Sequence, residues 1–167
     1  MHEVFSEAIN RLNSGEKVVV ATVVRTKGST PQKPGAKLLV REDGSGTGTL
    51  GGGCVEGDIW FAAKQLMQKG GGAEYREYEL NEDLAAEDGL VCGGTMYFLI
   101  DPVYSPESYL PYASEIDKAY SGSGAVALAT VVRTGKNGHS KIGDKLFVRE
   151  NGESEGSIGD DSEDDQA

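Results

Sequence analysis

The spacing of hydrophobic residues near the start of the chain predicts a helix followed by a strand hairpin. Apolar residues recur every three or four positions from Val4 to Leu12, which is typical of an amphipathic helix. The nearly continuous Val, Ala and Thr run of Lys17 to Thr26 predicts a strand buried on both faces. Lys37 to Arg41 predicts a second strand, closed by the favoured turn pair Asp43-Gly44. Thr47 to Gly51 is expected to be a short return strand.

The same pattern occurs a second time in the chain. The hexapeptide Ala21 to Thr26 recurs unchanged 108 positions later, as Ala129 to Thr134. Gly35 to Gly44 aligns without a gap on Gly143 to Gly152 at the same offset. This spacing is longer than the period of a solenoid repeat, so it indicates a duplicated supersecondary unit. We expect one pseudo-symmetric domain over residues 1–159, with its two copies at about 1–53 and 109–159.

The second copy predicts the same elements as the first. Tyr112, Ile116 and Tyr120 have helical spacing, and Gly124 to Thr134 is again expected to be a strand buried on both faces. The remaining elements are a strand, a turn and a return strand, predicted at Lys145 to Arg149, Asn151-Gly152 and Glu155 to Gly159.

Between the two copies the pattern predicts one long helix and two strands. Val55 to Lys69 has an apolar stripe at helical spacing and ends at Gly70-Gly71-Gly72. Tyr75 to Leu80 alternates like a half-exposed strand, and Thr95 to Ile100 predicts a strand ended by Asp101-Pro102. Asn81 to Gly89 is expected to be an acidic loop. The predicted fold is therefore α+β, a mixed sheet built from a duplicated helix-strand-hairpin unit, with a helix after a glycine-rich turn.

Composition narrows the classes of function. The formal net charge of −11 argues against nonspecific binding to nucleic acid or to an anionic membrane, because both need a basic surface. The chain has no run of 18 or more apolar residues and no signal-peptide pattern at its start, which favours a cytoplasmic protein. Residues 160–167 are predicted to be a disordered acidic tail. Two histidines and two cysteines are too few for histidine catalysis or a four-ligand zinc site.

The glycine-rich turn is the main candidate for chemistry. Gly51, Gly52 and Gly53 stand between a predicted strand and a predicted helix, where free amides and the helix dipole favour an anion such as a phosphate. Cys54 occupies the same helix start, a position that favours the nucleophilic, metal-binding thiolate. The alternative is an ordinary connection with Cys54 as a small buried hydrophobe. Glu56 and Asp58 would repel a phosphate if they pointed inward.

The internal repeat helps to decide whether the turn is functional or an ordinary connection. Residues 160–162 of the second copy are Asp, Asp and Ser, where the first copy has Gly52, Gly53 and Cys54. The second copy thus keeps the scaffold residues without the glycine-cysteine turn. That is expected if the turn serves a task beyond folding, although degeneration near the end of the chain would give the same result.

Two further segments are candidates for the same pocket. Cys92 and Gly93 lie just before a predicted strand, and Cys92 either faces Cys54 or is a buried core thiol. The loop from Arg25 to Gly35 concentrates hydroxyls and cations that could hold an anionic ligand, and its candidate residues are Ser29, Thr30 and Lys33. For any single lysine among Lys27, Lys33 and Lys37, a solvated surface charge is the expectation.

These motifs carry a family resemblance. The run from Ala21 to Glu56, ending in Gly51-Gly52-Gly53-Cys54-Val55-Glu56, resembles the N-terminal domain of the XdhC/CoxI family, and Val91 to Thr95 resembles its second cysteine motif. The resemblance implies a protein that binds molybdenum cofactor (molybdopterin), supports its sulfuration and delivers it to xanthine dehydrogenase-type hydroxylases. Cys54, and less firmly Cys92, would be the cofactor and metal ligands.

The resemblance also implies partners, and it leaves alternatives open. Members usually continue into a C-terminal Rossmann-like domain, whose fingerprint is absent here, so the chain is expected to be either a stand-alone half or a fragment. The implied partners are a hydroxylase apoenzyme and, as open options, a separate Rossmann-domain protein, a sulfurtransferase and a second copy in a homodimer. An accessory chaperone is favoured over an enzyme. The alternatives are a thiol-dependent redox or sulfur-transfer protein using Cys54 and Cys92, and a structural docking module.

Overall fold

The computed structural model describes residues 2–80, 93–135 and 139–159. The first copy of the repeat forms a helix and three strands: α1 (His2–Asn13), β1 (Val18–Lys27), β2 (Lys37–Arg41) and β3 (Gly46–Gly48). The central part forms a long helix and two strands: α2 (Gly53–Lys69), β4 (Glu74–Glu79) and β5 (Thr95–Val103). A 3₁₀ turn (Pro106–Ser108) leads into the second copy: α3 (Leu110–Tyr120), β6 (Val126–Thr130), β7 (Lys145–Arg149) and β8 (Ser154–Gly156).

The strands form two sheets. One has the order β3-β2-β1-β5-β4 and the other β6-β7-β8, and every pairing among the described strands is antiparallel. The predicted α+β class is confirmed. The prediction of a single mixed sheet is wrong, because the structure has two antiparallel sheets. Each copy makes its own hairpins, and β5 pairs with β1 in the antiparallel direction. No helix in the described part of the chain is long and apolar enough to cross a membrane.

The two faces of β1 contact different helices, as its continuous apolar sequence predicts. Val19, Ala21 and Val23 are buried in the cluster that contains the apolar stripe of α2. Val18 and Val20 are buried in a second cluster, which contains apolar residues of α1 and α3 together with Phe147 of β7. The five-stranded sheet therefore has α2 on one face and, on the other, a core shared by α1, α3 and the three-stranded sheet. The helices of both copies share one core between the sheets.

The duplication is visible in matched contacts. In the first copy, Arg41 of β2 binds the carboxylate of Glu7 on α1, with 2.8 Å between Nε and Oε1. In the second, Arg149 of β7 binds Glu115 on α3, again with 2.8 Å from Nε to the nearer carboxylate oxygen. Glu115 and Arg149 each lie 108 positions after Glu7 and Arg41, which is the offset of the sequence repeat. The predicted bounds of β2 and β7 are confirmed.

The strand predicted over Gly124 to Thr134 is wrong in length and in burial. Strand β6 spans Val126–Thr130, and none of its five residues is buried. Its counterpart β1 has β2 on one side, β5 on the other and α2 across one face. Among the described residues β6 pairs only with β7, so its apolar residues stay partly exposed.

Three other predicted strand ends are corrected. Strand β5 continues through Pro102 to Val103, where a break was predicted. Strand β4 begins opposite Ile100 and runs away from Pro102, so Pro102 has a neighbouring strand on one side only and its missing N–H is tolerated. The return strands are shorter than predicted, because Gly48 and Gly156 end them with φ angles of 92° and 91°.

Candidate functional site

The glycine-rich turn connects β3 to α2 through a backbone that only glycine adopts easily. Gly51, Gly52 and Gly53 have φ angles of 113°, 75° and 66°. Three consecutive residues with positive φ turn the chain sharply, and α2 begins at Gly53. The run of three glycines is therefore required by the conformation, as the sequence indicated.

The carboxylate of Glu56 folds back into this turn. Its Oε2 accepts hydrogen bonds from the backbone amides of Leu50 (2.7 Å) and Gly52 (3.1 Å) and from the hydroxyl of Thr49 (2.7 Å). Burial alone would raise the pKa of Glu56, but the bonds from Thr49 and the turn amides outweigh it, so the pKa is lowered. Glu56 is thus an internal anion that stabilises the turn from the first turn of α2.

This arrangement changes what the turn can offer to a phosphate. The amide of Gly51 donates to Thr49 Oγ1 (3.0 Å), and the amides of Leu50 and Gly52 donate to Glu56. These three amides are therefore not available to a ligand.

The amides of Gly53 and Cys54 are among the first N–H groups of α2, which lack partners inside a helix, and neither makes a backbone hydrogen bond outside it in the described part of the chain. The sequence left open whether Glu56 and Asp58 point inward, and the structure places Glu56 in the turn and Asp58 beside Tyr78. Phosphate binding at the turn stays a prediction, and fewer amides are available for it than the sequence indicated.

Cys54 projects from the first turn of α2 as an exposed free thiol. The alternative in which it is a small buried hydrophobe is therefore wrong. The space in front of the turn is also open, because a methyl group placed on Gly52 or Gly53 would meet no atom within 4 Å. A ligand can reach the thiol and the adjacent backbone together.

The face of α2 that bears Cys54 also bears Asp58, which the sequence suggested only as a group that could repel a phosphate, and Phe61, which the sequence did not suggest. Asp58 and Phe61 follow Cys54 at helical spacing, and all three are exposed. Asp58 accepts a hydrogen bond from the Tyr78 hydroxyl at 2.8 Å, and burial together with this bond raises the pKa of Tyr78 to about 12. Phe61 is 64% exposed and is one of two large apolar side chains exposed in the described part of the chain. The spacing from Cys54 was the signal that could have identified it.

The predicted loop of residues 25–35 packs directly against the turn. A methyl group on Gly51 would lie 2.7 Å from Cβ of Pro31, so the backbone at Gly51 packs closely against the proline ring. Within this loop, Thr30 Oγ1 donates to the carbonyl of Gln32 at 2.9 Å. Ser29 and Lys33 are exposed. The turn and the loop therefore form one surface.

The second cysteine motif approaches the same loop. A methyl group on Gly94 would lie 2.2 Å from the carbonyl oxygen of Ser29, and one on Gly28 would lie 3.2 Å from the carbonyl oxygen of Gly93. Gly93 is exposed. Cys92 lies outside the described residues, and so does the predicted acidic loop. The structure thus joins Gly93 and Gly94 to the loop, and pairing of Cys92 with Cys54 stays a prediction.

The expectation of a solvated charge is wrong for Lys37. Its side chain is half-buried, and its ammonium group donates to Thr22 Oγ1 at 2.9 Å. Lys27 and Lys33 are exposed, as expected. Among the residues that the structure describes, no group of three or more His, Cys, Asp or Glu side chains is placed to hold a metal ion.

Comparison with known proteins identifies the family. The model of the XdhC and CoxI family matches residues 11–79 and 120–167. The chain belongs to the XdhC and CoxI family. This family match covers the turn, the loop, α2 and most of the second copy, and the recognition from sequence is confirmed.

Curated proteins similar to this XdhC and CoxI chain include two with relevant names. It is 30% identical over 140 residues to the molybdenum cofactor insertion chaperone PaoD of Escherichia coli, an alignment that covers 78% of this chain and 43% of PaoD. It is 28% identical over 147 residues to a probable xanthine dehydrogenase subunit of Bacillus subtilis, with 84% of this chain and 40% of that protein covered. The chain therefore spans about two-fifths of the length of these relatives.

A solved structure has the same fold. The crystal structure of a xanthine dehydrogenase from Bacillus halodurans aligns with a TM-score of 0.61 and 25% identity, covering 92% of this XdhC and CoxI chain and 44% of that one. The names of these relatives refer to insertion of molybdenum cofactor and to xanthine dehydrogenase.

Proposed function

We propose that this chain binds molybdenum cofactor as a transient cargo at the Gly51 to Cys54 turn and passes it to a xanthine dehydrogenase-type apoenzyme. The observation that supports this most is the exposed thiol of Cys54 at the start of α2, with open space before Gly52 and Gly53. A relative with 30% identity is named as an insertion chaperone for that cofactor.

The residues of the turn fit such a cargo chemically. A thiolate is a soft ligand that suits a sulfur-rich metal centre. When the Cys54 thiol coordinates, it releases its proton to solvent, and the step involves no change in oxidation state. The free amides of Gly53 and Cys54 suit the cargo's phosphate, because they lie at a helix N-terminus.

The neighbouring loop would hold the organic part of the cargo. Ser29 and Lys33 are exposed on the loop that packs against the turn through Pro31 and Gly51. A hydroxyl and a cation at the edge of an open surface can hold a polar ring without enclosing it. Open access suits a chaperone, because the cargo must leave again for the client enzyme.

A delivery experiment tests the proposal. The chain is loaded with cofactor released from a molybdoenzyme, freed of excess by gel filtration and mixed with a xanthine dehydrogenase-type apoenzyme, whose recovered activity is measured. Wild-type protein and a Gln68→Ser control at the far end of α2 should restore activity, whereas Cys54→Ser should restore less than about a tenth as much. Equal recovery with Cys54→Ser would remove Cys54 from the proposed role.

The same samples separate this proposal from a thiol-redox or sulfur-transfer function. A carrier gives recovery that rises with the amount of cofactor loaded and needs no added sulfur donor. In a second assay, the client enzyme already holds cofactor that lacks its terminal sulfur, and the unloaded chain is added with a sulfur donor. Recovery of activity there would favour sulfur transfer through the exposed Cys54 instead.

A further inference from the structure

A cleft lies between the two sheets, where the copies of the repeat meet. It has a volume of about 290 Å³ and is lined by residues of β1, β2, β5, β6 and β7. Its polar side chains include two pairs related by the repeat, Thr22 with Thr130 and Lys37 with Lys145. Asp101 of β5 lies between them without a counterpart. We call this space the inter-sheet cleft.

The polar groups of the inter-sheet cleft carry an excess of positive charge. Lys145 Nζ lies 2.6 Å from Asp101 Oδ2 and also donates to the carbonyl of Gly143 at 2.9 Å. Lys37 donates to the neutral hydroxyl of Thr22. One carboxylate therefore faces two ammonium groups, and it is bonded to Lys145.

The surroundings of Lys37 make this excess charge costly. Burial, together with repulsion from Lys145, lowers the pKa of Lys37 to about 8, although Asp101 acts in the opposite direction. The ammonium of Lys37 donates to Thr22 and lies 5.8 Å from the centre of the Phe5 ring. Because it is partly desolvated and has no carboxylate bonded to it among the described residues, it gains free energy when an anion approaches. Thr22 and Thr130 are the cross-strand partners of Lys37 and Lys145, so their hydroxyls add polar groups beside the two lysines.

The other walls of the cleft are apolar and set the kind of anion. Phe5, Val20, Leu99, Leu128 and Val132 line it beside the charged end. A space of this size is larger than an inorganic oxyanion needs and lies at the lower limit of small-molecule sites. The complementary ligand has an anionic oxygen group on a small apolar body.

We propose that the inter-sheet cleft binds a small organic anion, with the ammonium groups of Lys37 and Lys145 holding its charged oxygens. The site is separate from the Gly51 to Cys54 turn, none of whose residues lines it. It goes beyond the proposed cofactor role and stands or fails independently of it. The duplication accounts for the site, because it brings the equivalent lysines of two copies to one place.

The experiment is a calorimetric or NMR titration of the full chain with phenyl phosphate, benzoate and the uncharged benzamide. Wild-type protein and the exposed-lysine control Lys118→Met should bind at least one of the two anions saturably, with a Kd below about 1 mM, and benzamide at least about tenfold more weakly. Lys37→Met, which keeps the length of the side chain, should weaken the anion about tenfold or more.

The two anions also identify the charged group. Tighter binding of phenyl phosphate assigns a phosphate ester, and tighter binding of benzoate assigns a carboxylate. The proposal is overturned if wild-type protein binds neither anion saturably, if benzamide binds as tightly as the anions, or if Lys37→Met binds them as tightly as wild type. Circular dichroism of the variant confirms that it is folded, and chemical-shift changes of Thr22 and Thr130 in wild-type protein locate the site without any variant.

Discussion

Glu56 Oε2 lies 3.1 Å from the backbone nitrogen of Gly52 and accepts its hydrogen bond. A side chain of α2 thereby holds the turn that precedes the helix, and the same oxygen also binds Thr49 and the amide of Leu50. The geometry of the turn around Cys54 thus depends on a residue that does not itself need to contact a ligand.

Replacing Glu56 by glutamine should destabilise the protein in a pH-dependent way. The pKa of Glu56 is lowered from 4.5 in the folded state, so its contribution is complete above that pH and is lost as pH falls through the folded pKa. Glu56→Gln should reduce the free energy of unfolding by about 1 kcal/mol at pH 7. Urea unfolding at pH 7 and at about pH 3 measures the difference.

The control for this change is Glu77→Gln, at an exposed position of β4. It should leave the free energy of unfolding within about 0.5 kcal/mol of wild type. A gap between wild type and Glu56→Gln that stays the same at both pH values would contradict the assigned role of the charge.

Two glycines of the same region offer a matched test of the turn conformation. Gly52 and Gly57 both have open space where a methyl group would go, but only Gly52 has a positive φ, of 75°. Gly52→Ala should cost about 1–2 kcal/mol of stability, because an L residue is strained there. Gly57→Ala, inside α2, should stabilise by up to about 1 kcal/mol. Thermal unfolding of the two variants measures both, and equal effects would mean that the turn is not held in this conformation.

The repeated ion pairs should differ in strength. The side chains of Arg41 and Glu7 are 12% and 20% exposed, whereas those of Arg149 and Glu115 are 26% and 31% exposed. Water screens the second pair more, so Glu7→Gln should lower the melting temperature more than Glu115→Gln. Differential scanning calorimetry compares them directly. A larger effect at Glu115 would contradict the view that the first copy contains the better-protected pair.

The elements that sequence patterns predicted well are those specified by neighbouring residues. Strands β2 and β7 have the predicted bounds because each combines a short apolar run with a glycine turn, at Gly44 and Gly152, whose φ is 85° in both. Helix α2 could be predicted from its stripe of apolar residues at helical spacing and from Gly70, which ends it in the left-handed conformation.

What the sequence did not predict depends on residues distant along the chain. Strand β6 has the composition of a buried strand, but nothing local to it reveals that among the described residues it pairs only with β7. Lys37 has the local pattern of a surface charge, and only the fold places it beside Asp101 and Lys145. The exposure of Cys54 likewise depends on how α2 packs, because its neighbour Val55 on the same helix is buried.

The central claim, that Cys54 holds the cofactor, is tested most directly by counting bound cofactor. Wild-type chain and Cys54→Ser are saturated with molybdenum cofactor, passed through gel filtration, and analysed for molybdenum by mass spectrometry and for pterin by fluorescence after oxidation. The account predicts about one molybdenum and one pterin for each wild-type chain, since the turn with its cysteine occurs once, and less than about a tenth of that for Cys54→Ser. Equal molybdenum and pterin content in the two proteins would contradict it.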